Sequence, residues 1–322
     1  MAAASAQRSL WSLVDLRELR ASDLTAVLVE QERVWRYRYR WDFSGSRGVI
    51  ERFLDSRSLP GCALVAHDRV VGYSYFVIES GKSLIGDLFV SQPYREPEAE
   101  QTLLAAILQA AASFPGVRRL EGQFLGIADW PQALTLGGRP IEVFPRRFLV
   151  RSARSATQVP EQLTPGMHYR CWLDLDLERA SALLVEGYRG HVDSRINDQY
   201  RTLAGARRFL ANTTSHPGCG SFATLASLVA SATDRPGLAG MCLGARVDSW
   251  AGHVTQICVS PAARGLGLGR ELLRRSLHAF QREGCSEVSL TVTETNDTAI
   301  ALYQAFGFEL VQRFPALAWT AP

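Results

Sequence analysis

The chain has 322 residues, 47% hydrophobic and 21% charged, which excludes fibrous, collagenous and disordered proteins and suits two ordinary domains. Its 35 basic and 32 acidic residues nearly cancel to a formal +3, so no global field gathers nucleic acid or an acidic membrane, and any anion site must be local. Cys62, Cys171, Cys219, Cys242, Cys258 and Cys285 are scattered without a C-x-x-C pair or a histidine spacing that suits zinc, so neither a disulfide framework nor a metal is signalled.

Arg8 and Asp15 interrupt the apolar residues near the N-terminus, which lacks the continuous core of a signal peptide. No apolar run reaches the ~18 residues of a membrane span, so a cytoplasmic protein without a membrane partner is expected. In RVWRYRYRW, Trp35, Tyr37, Tyr39 and Trp41 alternate with Arg36, Arg38 and Arg40. As a strand this segment has an aromatic face and a cationic one, a pattern that also suits single-stranded nucleic acid. The simpler expectation is packed aromatics and solvated arginines, with no nucleic-acid partner. LFVSQPYR, ending at Arg95, predicts a strand, and a helical pattern with Leu103 and Leu104 follows. Residues 151–167 carry two prolines among several Ser and Thr and predict a linker between domains 1–150 and 168–322.

From Gly252 the chain reads GHVTQICVSPAARGLGLGRELLRRSLHAFQREG. Val254 to Val259 predicts a strand, with Pro261 at its exit. Leu272, Leu273, Leu277 and Phe280 then recur at helical spacing, while Arg274, Arg275, His278 and Arg282 take other faces. A helix N-terminus has unpaired N–H groups, and glycines before it admit an anion such as pyrophosphate close to the backbone. The dinucleotide fingerprint needs glycine where Arg270 stands, and the nucleotide triphosphate loop needs Lys-Ser/Thr after its last glycine, so both fail. A glycine turn without ligand is the plain alternative. Beyond it, Val288, Leu290 and Val292 alternate as a strand, Asn296 predicts a helix cap, and a short helix through Tyr303 ends at Gly307.

The two halves repeat the same order of elements. Arg95 of LFVSQPYR and Arg264 of ICVSPAAR are 169 residues apart. At that offset Leu103 and Leu104 fall on Leu272 and Leu273, and Gly138 falls on Gly307. An internal duplication is expected.

With R-x-x-G-x-G at Arg264, Gly267 and Gly269, and N-x-x-A-x-x-L-Y-x-x-x-G-F from Asn296 to Phe308, the chain resembles the GNAT superfamily of acyl-CoA-dependent N-acyltransferases over about Met167 to Pro322. The resemblance implies an α/β fold of two tandem GNAT-like domains, each a mixed twisted sheet flanked by helices, in a layout like that of mycothiol synthase. It implies that the strands ending at Val259 and near Thr293 splay to admit acetyl-CoA. The amides of Arg264, Gly265, Leu266, Gly267, Leu268, Gly269 and Arg270 would hold the pyrophosphate, with Asn296 alongside, and the backbone of Ile257, Cys258 and Val259 would pair with the pantetheine arm. Tyr303 would protonate the leaving thiolate.

His253 stands where many relatives carry a glutamate base, and Glu294 beside Asn296 is the second candidate; a structural histidine and an exposed loop carboxylate are the plain readings. HVDSRINDQYR, from His191 to Arg201, falls where the acceptor usually borders, which makes Asp193, Asp198 and Tyr200 candidate amine contacts. In the first half Glu98 and Glu100 fall on Gly267 and Gly269, and Leu134 falls on Tyr303. Carboxylates where phosphates should lie make that half a degenerate copy that binds no CoA. The expected activity is transfer of an acyl group, most simply acetyl, from acetyl-CoA to a small-molecule or peptide amine by direct attack, without a metal. A non-catalytic acyl-CoA-binding or regulatory module is the alternative.

Overall fold

The computed structural model describes residues 11–127, 129–131, 133–152, 160–161, 164–215, 220–234 and 236–321. The expected linker therefore lies largely outside the described residues, as does Cys219. The chain divides into two compact units, the first built from Met1–Arg33, Ser46–Val143 and Phe314–Pro322, the second from Val34–Gly45 and Phe144–Arg313. Among the described residues no helix is long and apolar enough to cross a membrane.

In chain order the elements associated with the first half are β1 (Ser12–Asp15), α1 (Ala21–Val34), α2 (Ser44–Asp55), β2 (Gly61–Ala66), β3 (Arg69–Glu79), β4 (Lys82–Val90), α3 (Pro97–Ala112), β5 (Arg119–Gln123), β6 (Leu134–Leu136) and β7 (Arg139–Ser152). Those of the second half are β8 (Met167–Cys171), α4 (Leu177–Gly187), α5 (Asp193–Ile196), α6 (Leu203–Ser215), β9 (Ser221–Phe222), β10 (Leu228–Ala232), β11 (Gly240–Asp248), β12 (Ala251–Val259), α7 (Leu268–Arg282), β13 (Glu287–Thr293), α8 (Asp297–Ala305) and β14 (Glu309–Thr320).

The first unit's sheet runs β1-β2-β3-β4-β5 and is closed by the C-terminal end of β14, whose Ala316–Thr320 lie antiparallel to β5. The second unit's sheet runs β8-β10-β11-β12-β13 and is closed by Arg146–Ser152 of β7, antiparallel to β13. Each unit thus receives its last strand from the other half of the chain, where a division at residues 151–167 would leave both halves whole. The reason is length: β7 has 14 residues and β14 has 12, about twice an ordinary strand, so each runs out of one unit and into the other.

The repeat is visible in the ladders, at the predicted offset of 169 for the first strand of each pair and one residue less for the second. Lys82–Ile85 pair in parallel with Arg119–Gly122, and Ala251–Val254 pair in parallel with Glu287–Leu290. Just beyond, each first strand is irregular in its antiparallel ladder, β4 at Gly86–Asp87 against β3 and β12 at Thr255 against β11. Helix α3 buries Leu103, Leu104, Ile107 and Leu108 against Leu64, Val71 and Phe76. Helix α7 buries Leu272, Leu273, Leu277 and Phe280 against Val254, Val288 and Leu290, each such side chain contributing about 1.5–3 kcal/mol. Gly252 is needed beneath α7, because a Cβ there would lie 2.5 Å from the Phe280 ring. Arg274, on another face of α7, is nonetheless buried, with Nε 2.8 Å from Glu271 Oε2.

The aromatic and arginine segment does not form a strand. Trp35–Tyr39 is a widened helical turn that continues α1, ended by Arg40 in the left-handed region at φ 60°. The alternation misleads because residues four apart meet on the inner face of such a turn, Trp35 and Tyr39 with ring centroids 5.6 Å apart. Trp41 and Phe43 complete the cluster around Trp35 at 5.8 and 5.1 Å. Tyr37 alone of the aromatics is largely exposed, at 79%. The arginines are engaged rather than merely solvated: Arg36 pairs with Asp248 at 3.0 Å, Arg40 with Glu287 at 2.6 Å, and Arg38 donates to Gln312.

Beneath this cluster lies His253, its ring 5.1 Å from Trp41 and stacked on Phe148, with Nδ1 2.8 Å from Ser289 Oγ. Burial, helped by Arg146, lowers its pKa to about 4. The unfolded chain binds this proton near 6.5 while the fold resists it down to about 4. The contribution to stability is therefore full above pH 6.5 and is lost as pH falls through that window. The expected loss is up to about 3 kcal/mol, read as a falling urea midpoint, and His253→Phe should flatten the dependence. Parallel curves for the two proteins would place the acid sensitivity elsewhere.

Candidate functional site

Because Thr255 is unmatched in the β11 ladder, β12 bends there, as strands do at a bulge. Its pairing with β13 ends at Val254 opposite Leu290. Ser260 N–H donates to Ala239 O at 2.9 Å. By antiparallel alternation, Ile257 and Val259 therefore turn their backbone N–H and C=O away from β11, into the gap between β12 and β13. A cleft of about 470 Å³ opens there, with Ile257, Cys258 and Val259 along one wall. Cys258 is a buried wall group, its thiol pushed up to about 12 by burial.

After the turn Pro261–Ala263, Gly265 and Gly267 both adopt φ 78°, and Gly267 is the N-cap of α7. That conformation is strained for any side chain, and no side chain caps this helix end. The first N–H of α7 to bond within the helix is that of Glu271, to Gly267 O at 3.1 Å, so those of Leu268, Gly269 and Arg270 point out of the helix end, and all three residues line the cleft. An anion is favoured at such an end. Arg264 Nη2 donates to Gly187 O at 2.7 Å, tying the loop to the last turn of α4. The Arg270 guanidinium lies 5.4 Å from the Phe306 ring.

The opposite wall comes from α8 and from the end of α4. Asn296 Oδ1 accepts from Ala299 N–H at 3.2 Å, the expected cap, and its Nδ2 lies 3.3 Å from His191 Nε2. Tyr303 lines the cleft with its ring against Phe308 at 5.8 Å. Its hydroxyl has no hydrogen-bond partner among the described residues, and burial holds its pKa well above the ordinary phenol value. Tyr188 and His191 also line the cleft. Tyr188 Oη accepts from Gln256 Nε2 at 2.6 Å, and Gln256 Oε1 accepts from Tyr200 Oη–H at 3.3 Å.

The fold therefore gathers Ile257, Cys258, Val259, Arg264, Gly265, Gly267, Leu268, Gly269, Arg270, Asn296 and Tyr303 around one cleft. Leu266 opens instead on a neighbouring cavity of about 870 Å³. His253 is buried behind Trp41 and Phe148, and Glu294 is held by Arg147 at 3.1 Å and Arg313 at 2.8 Å; neither lines the cleft. Asp193 starts α5, its Oδ1 accepting from Thr293 Oγ1–H at 2.5 Å. Tyr200 packs on Tyr188 at 4.6 Å, and Asp198 opens the turn that carries it. Sequence reasoning missed Tyr188, His191 and Gln256 as site residues, since no local spacing joins His191 to Asn296, 105 positions away.

The corresponding loop of the first unit is filled by its own side chains. Glu30 accepts from Gln92 N–H and from Ser91 Oγ–H, both at 2.7 Å. Arg95 pairs with Glu100 at 2.9 Å and also donates to Gly126 O. Glu100 is buried, which raises its pKa, while Glu98 is exposed in the first turn of α3. Leu134 lies in β6, and among the described residues no helix stands where α8 stands in the second unit.

Residues 197–308 match the acetyltransferase (GNAT) family. A solved GCN5-related N-acetyltransferase from Sphaerobacter thermophilus shares the fold with a TM-score of 0.66 at 16% identity, over 98% of this chain and 97% of that one. A tandem GNAT protein from the clavulanic acid biosynthesis pathway gives 0.57 at 15% identity, over 97% and 99% of the two chains. The mycothiol acetyltransferase of Thermomonospora curvata is 44% identical over 57 residues, 18% of this chain and 19% of that protein; the similarity thus covers about a fifth of that relative. Residues 197–308 form a GNAT domain, and the whole chain has the α/β fold of tandem GNAT proteins. Among the described residues no cluster of His, Cys, Asp and Glu could hold a metal ion.

Gly267→Glu should abolish acetyl-CoA binding in calorimetry, since it puts a side chain at φ 78° and a negative charge at the open helix end. Unchanged affinity would place the pyrophosphate elsewhere.

Proposed function

We propose that the second unit transfers an acetyl group from acetyl-CoA to an amine by direct attack on the thioester, a reaction that needs no covalent enzyme intermediate and no metal. The observation that carries this reading is the parting of β12 and β13, which turns strand backbone, open helix amides and Tyr303 toward one cleft. The N–H groups of Leu268, Gly269 and Arg270 suit a pyrophosphate. Ile257 and Val259 offer peptide groups to a pantetheine arm in the manner of an added strand, and an N–H there polarises the thioester carbonyl. Tyr303 then gives its proton to the departing thiolate. Its raised pKa keeps the phenol protonated through neutral and alkaline pH, the form a general acid needs. The GNAT domain match supports the activity, and the mycothiol acetyltransferase similarity supports acetyl as the group transferred.

The first unit reads as a degenerate copy. Glu30 already occupies the backbone N–H of Gln92, and Glu100 engages Arg95, so a pyrophosphate there would meet carboxylates. Calorimetry on the whole chain should give one acetyl-CoA site per chain; two equivalent sites would sink the degenerate reading.

Tyr303→Phe should lower turnover by about 10²-fold to 10⁴-fold with acetyl-CoA affinity nearly intact, the loss shrinking for thioesters with better leaving groups. An unaltered rate where chemistry is limiting removes Tyr303 from the mechanism. Tight binding without CoA release against a broad amine panel would favour the non-catalytic module instead.

A further inference from the structure

With Tyr303 assigned to the leaving group, the charge that attack places on the thioester oxygen still needs donors beyond the β12 N–H. We propose that Tyr188 is a second oxyanion donor, its hydroxyl hydrogen aimed at the thioester oxygen by a one-way chain of hydrogen bonds from Asn197 through Tyr200 and Gln256; the proposal rests on the transferase reading above.

Tyr188 caps the last turn of α4, its N–H donating to Leu184 O at 3.0 Å. That turn can close on β12 because residue 187 is glycine: a Cβ there would lie 2.4 Å from Cys258 Sγ. The Tyr188 ring meets Tyr200 at 4.6 Å and His191 edge-on at 5.2 Å, and it lines the cleft together with Ile257. Its hydroxyl is anchored on the side chain of Gln256, the residue before Ile257. It is therefore held next to the stretch of β12 whose N–H meets the thioester.

Asn197 sets the direction of the chain. Its Oδ1 accepts from Gln199 N–H at 3.0 Å, so its amide N–H is left for the hydroxyl of Tyr200, to which its side chain bonds. Tyr200 keeps its own hydrogen for Gln256 Oε1 at 3.3 Å, and Gln256 then presents Nε2 to Tyr188 Oη at 2.6 Å. An amide nitrogen donates and does not accept, so Tyr188 takes a hydrogen from Gln256 and retains its own. With the Gln256 amide reversed, Tyr200 would accept twice and keep a spare hydrogen away from the cleft. In the direction given, the spare donor falls on Tyr188, the phenol of the pair that lines the cleft. Among the described residues Gln256 is the one hydrogen-bond partner of that hydroxyl. Donors in series also polarise one another.

The neutral amine attacks the thioester carbon, forming the C–N bond as the carbonyl π pair moves onto oxygen. Tyr188 and the β12 N–H hold this oxyanion by hydrogen bonds, and no proton leaves Tyr188. Collapse restores the C=O bond and breaks C–S with its electron pair on sulfur, which takes the Tyr303 proton. The proton lost by the new amide nitrogen replaces it through solvent. Burial holds the Tyr188 pKa well above the ordinary phenol value, so the group remains a donor while negative charge develops beside it.

The test uses the full chain and acetyl-CoA carrying a heavy-carbon label at the acetyl carbonyl. Tyr188→Phe should raise the infrared carbonyl stretch of the bound thioester, with acetyl-CoA affinity by calorimetry kept. With glucosamine, spermidine or a tetrapeptide bearing a free N-terminus, kcat should fall about 10²-fold to 10³-fold. Unlike the loss in Tyr303→Phe, this one should persist for thioesters with better leaving groups. Gln256→Met should give a smaller loss alone and none when added to Tyr188→Phe, because Gln256 acts through the Tyr188 hydroxyl. An identical carbonyl band, an unaltered kcat, loss of acetyl-CoA affinity, or additive losses in the double variant would overturn the proposal while the transferase reading stands. No CoA release by the unaltered chain with any of the amines overturns both.

Discussion

Thr255 has no register partner on β11, and the bend at this residue shapes the whole cleft of the second unit. A regular β12 would continue its parallel ladder with β13 beyond Val254 and satisfy its own peptide groups. Bent, it leaves Ile257 and Val259 facing open space and delivers the chain to the loop before α7. The cost of leaving peptide groups without ladder partners is tolerable only where water or a ligand replaces them. The cleft is thus the place where the sheet's hydrogen bonding is left unfinished, bounded by the α7 amides at one end and by Tyr303 on the facing helix.

Electrostatics separates two units that share this ladder geometry. In the second, Gly267 leaves the α7 end uncapped, and Arg264 turns its charge to the carbonyl end of α4. In the first, acidic side chains have moved in: Glu30 takes a loop amide and Glu100 takes Arg95. The loop backbone is thus open to the cleft in the second unit and engaged by internal carboxylates in the first. The strand parting depends on ladder register and what the loop can hold depends on a few residues, so two units with like ladders differ at the loop.

Much of this was legible because it is local. Strand, glycine turn and amphipathic helix from Val254 to Phe280 follow from spacing, and Asn296 and Gly307 bracket α8 as cap and stop. What was not legible depends on partners far apart in the chain. Trp35 to Trp41 alternate like a strand but fold as a widened turn, because their packing partners, Phe148 and His253 among them, lie more than a hundred residues away. That same packing takes His253 out of the cleft. His191 carries no motif; its setting comes from a capping amide on another helix. The exchange of closing strands was equally hidden, since β7 and β14 differ from ordinary strands only in length.

That exchange sets an order on biosynthesis. The strand that completes the first unit, Ala316–Thr320 beside β5, is made long after β5. At typical translation speeds, roughly ten to forty seconds separate the emergence of β5 from that of its partner. During that interval β5 presents a bare edge, the kind of surface that pairs with neighbouring chains. The second unit has no such wait, since β7 is already present when β13 appears. The half with the open cleft can therefore close its sheet as soon as β13 emerges, and the other half must wait for Ala316–Thr320.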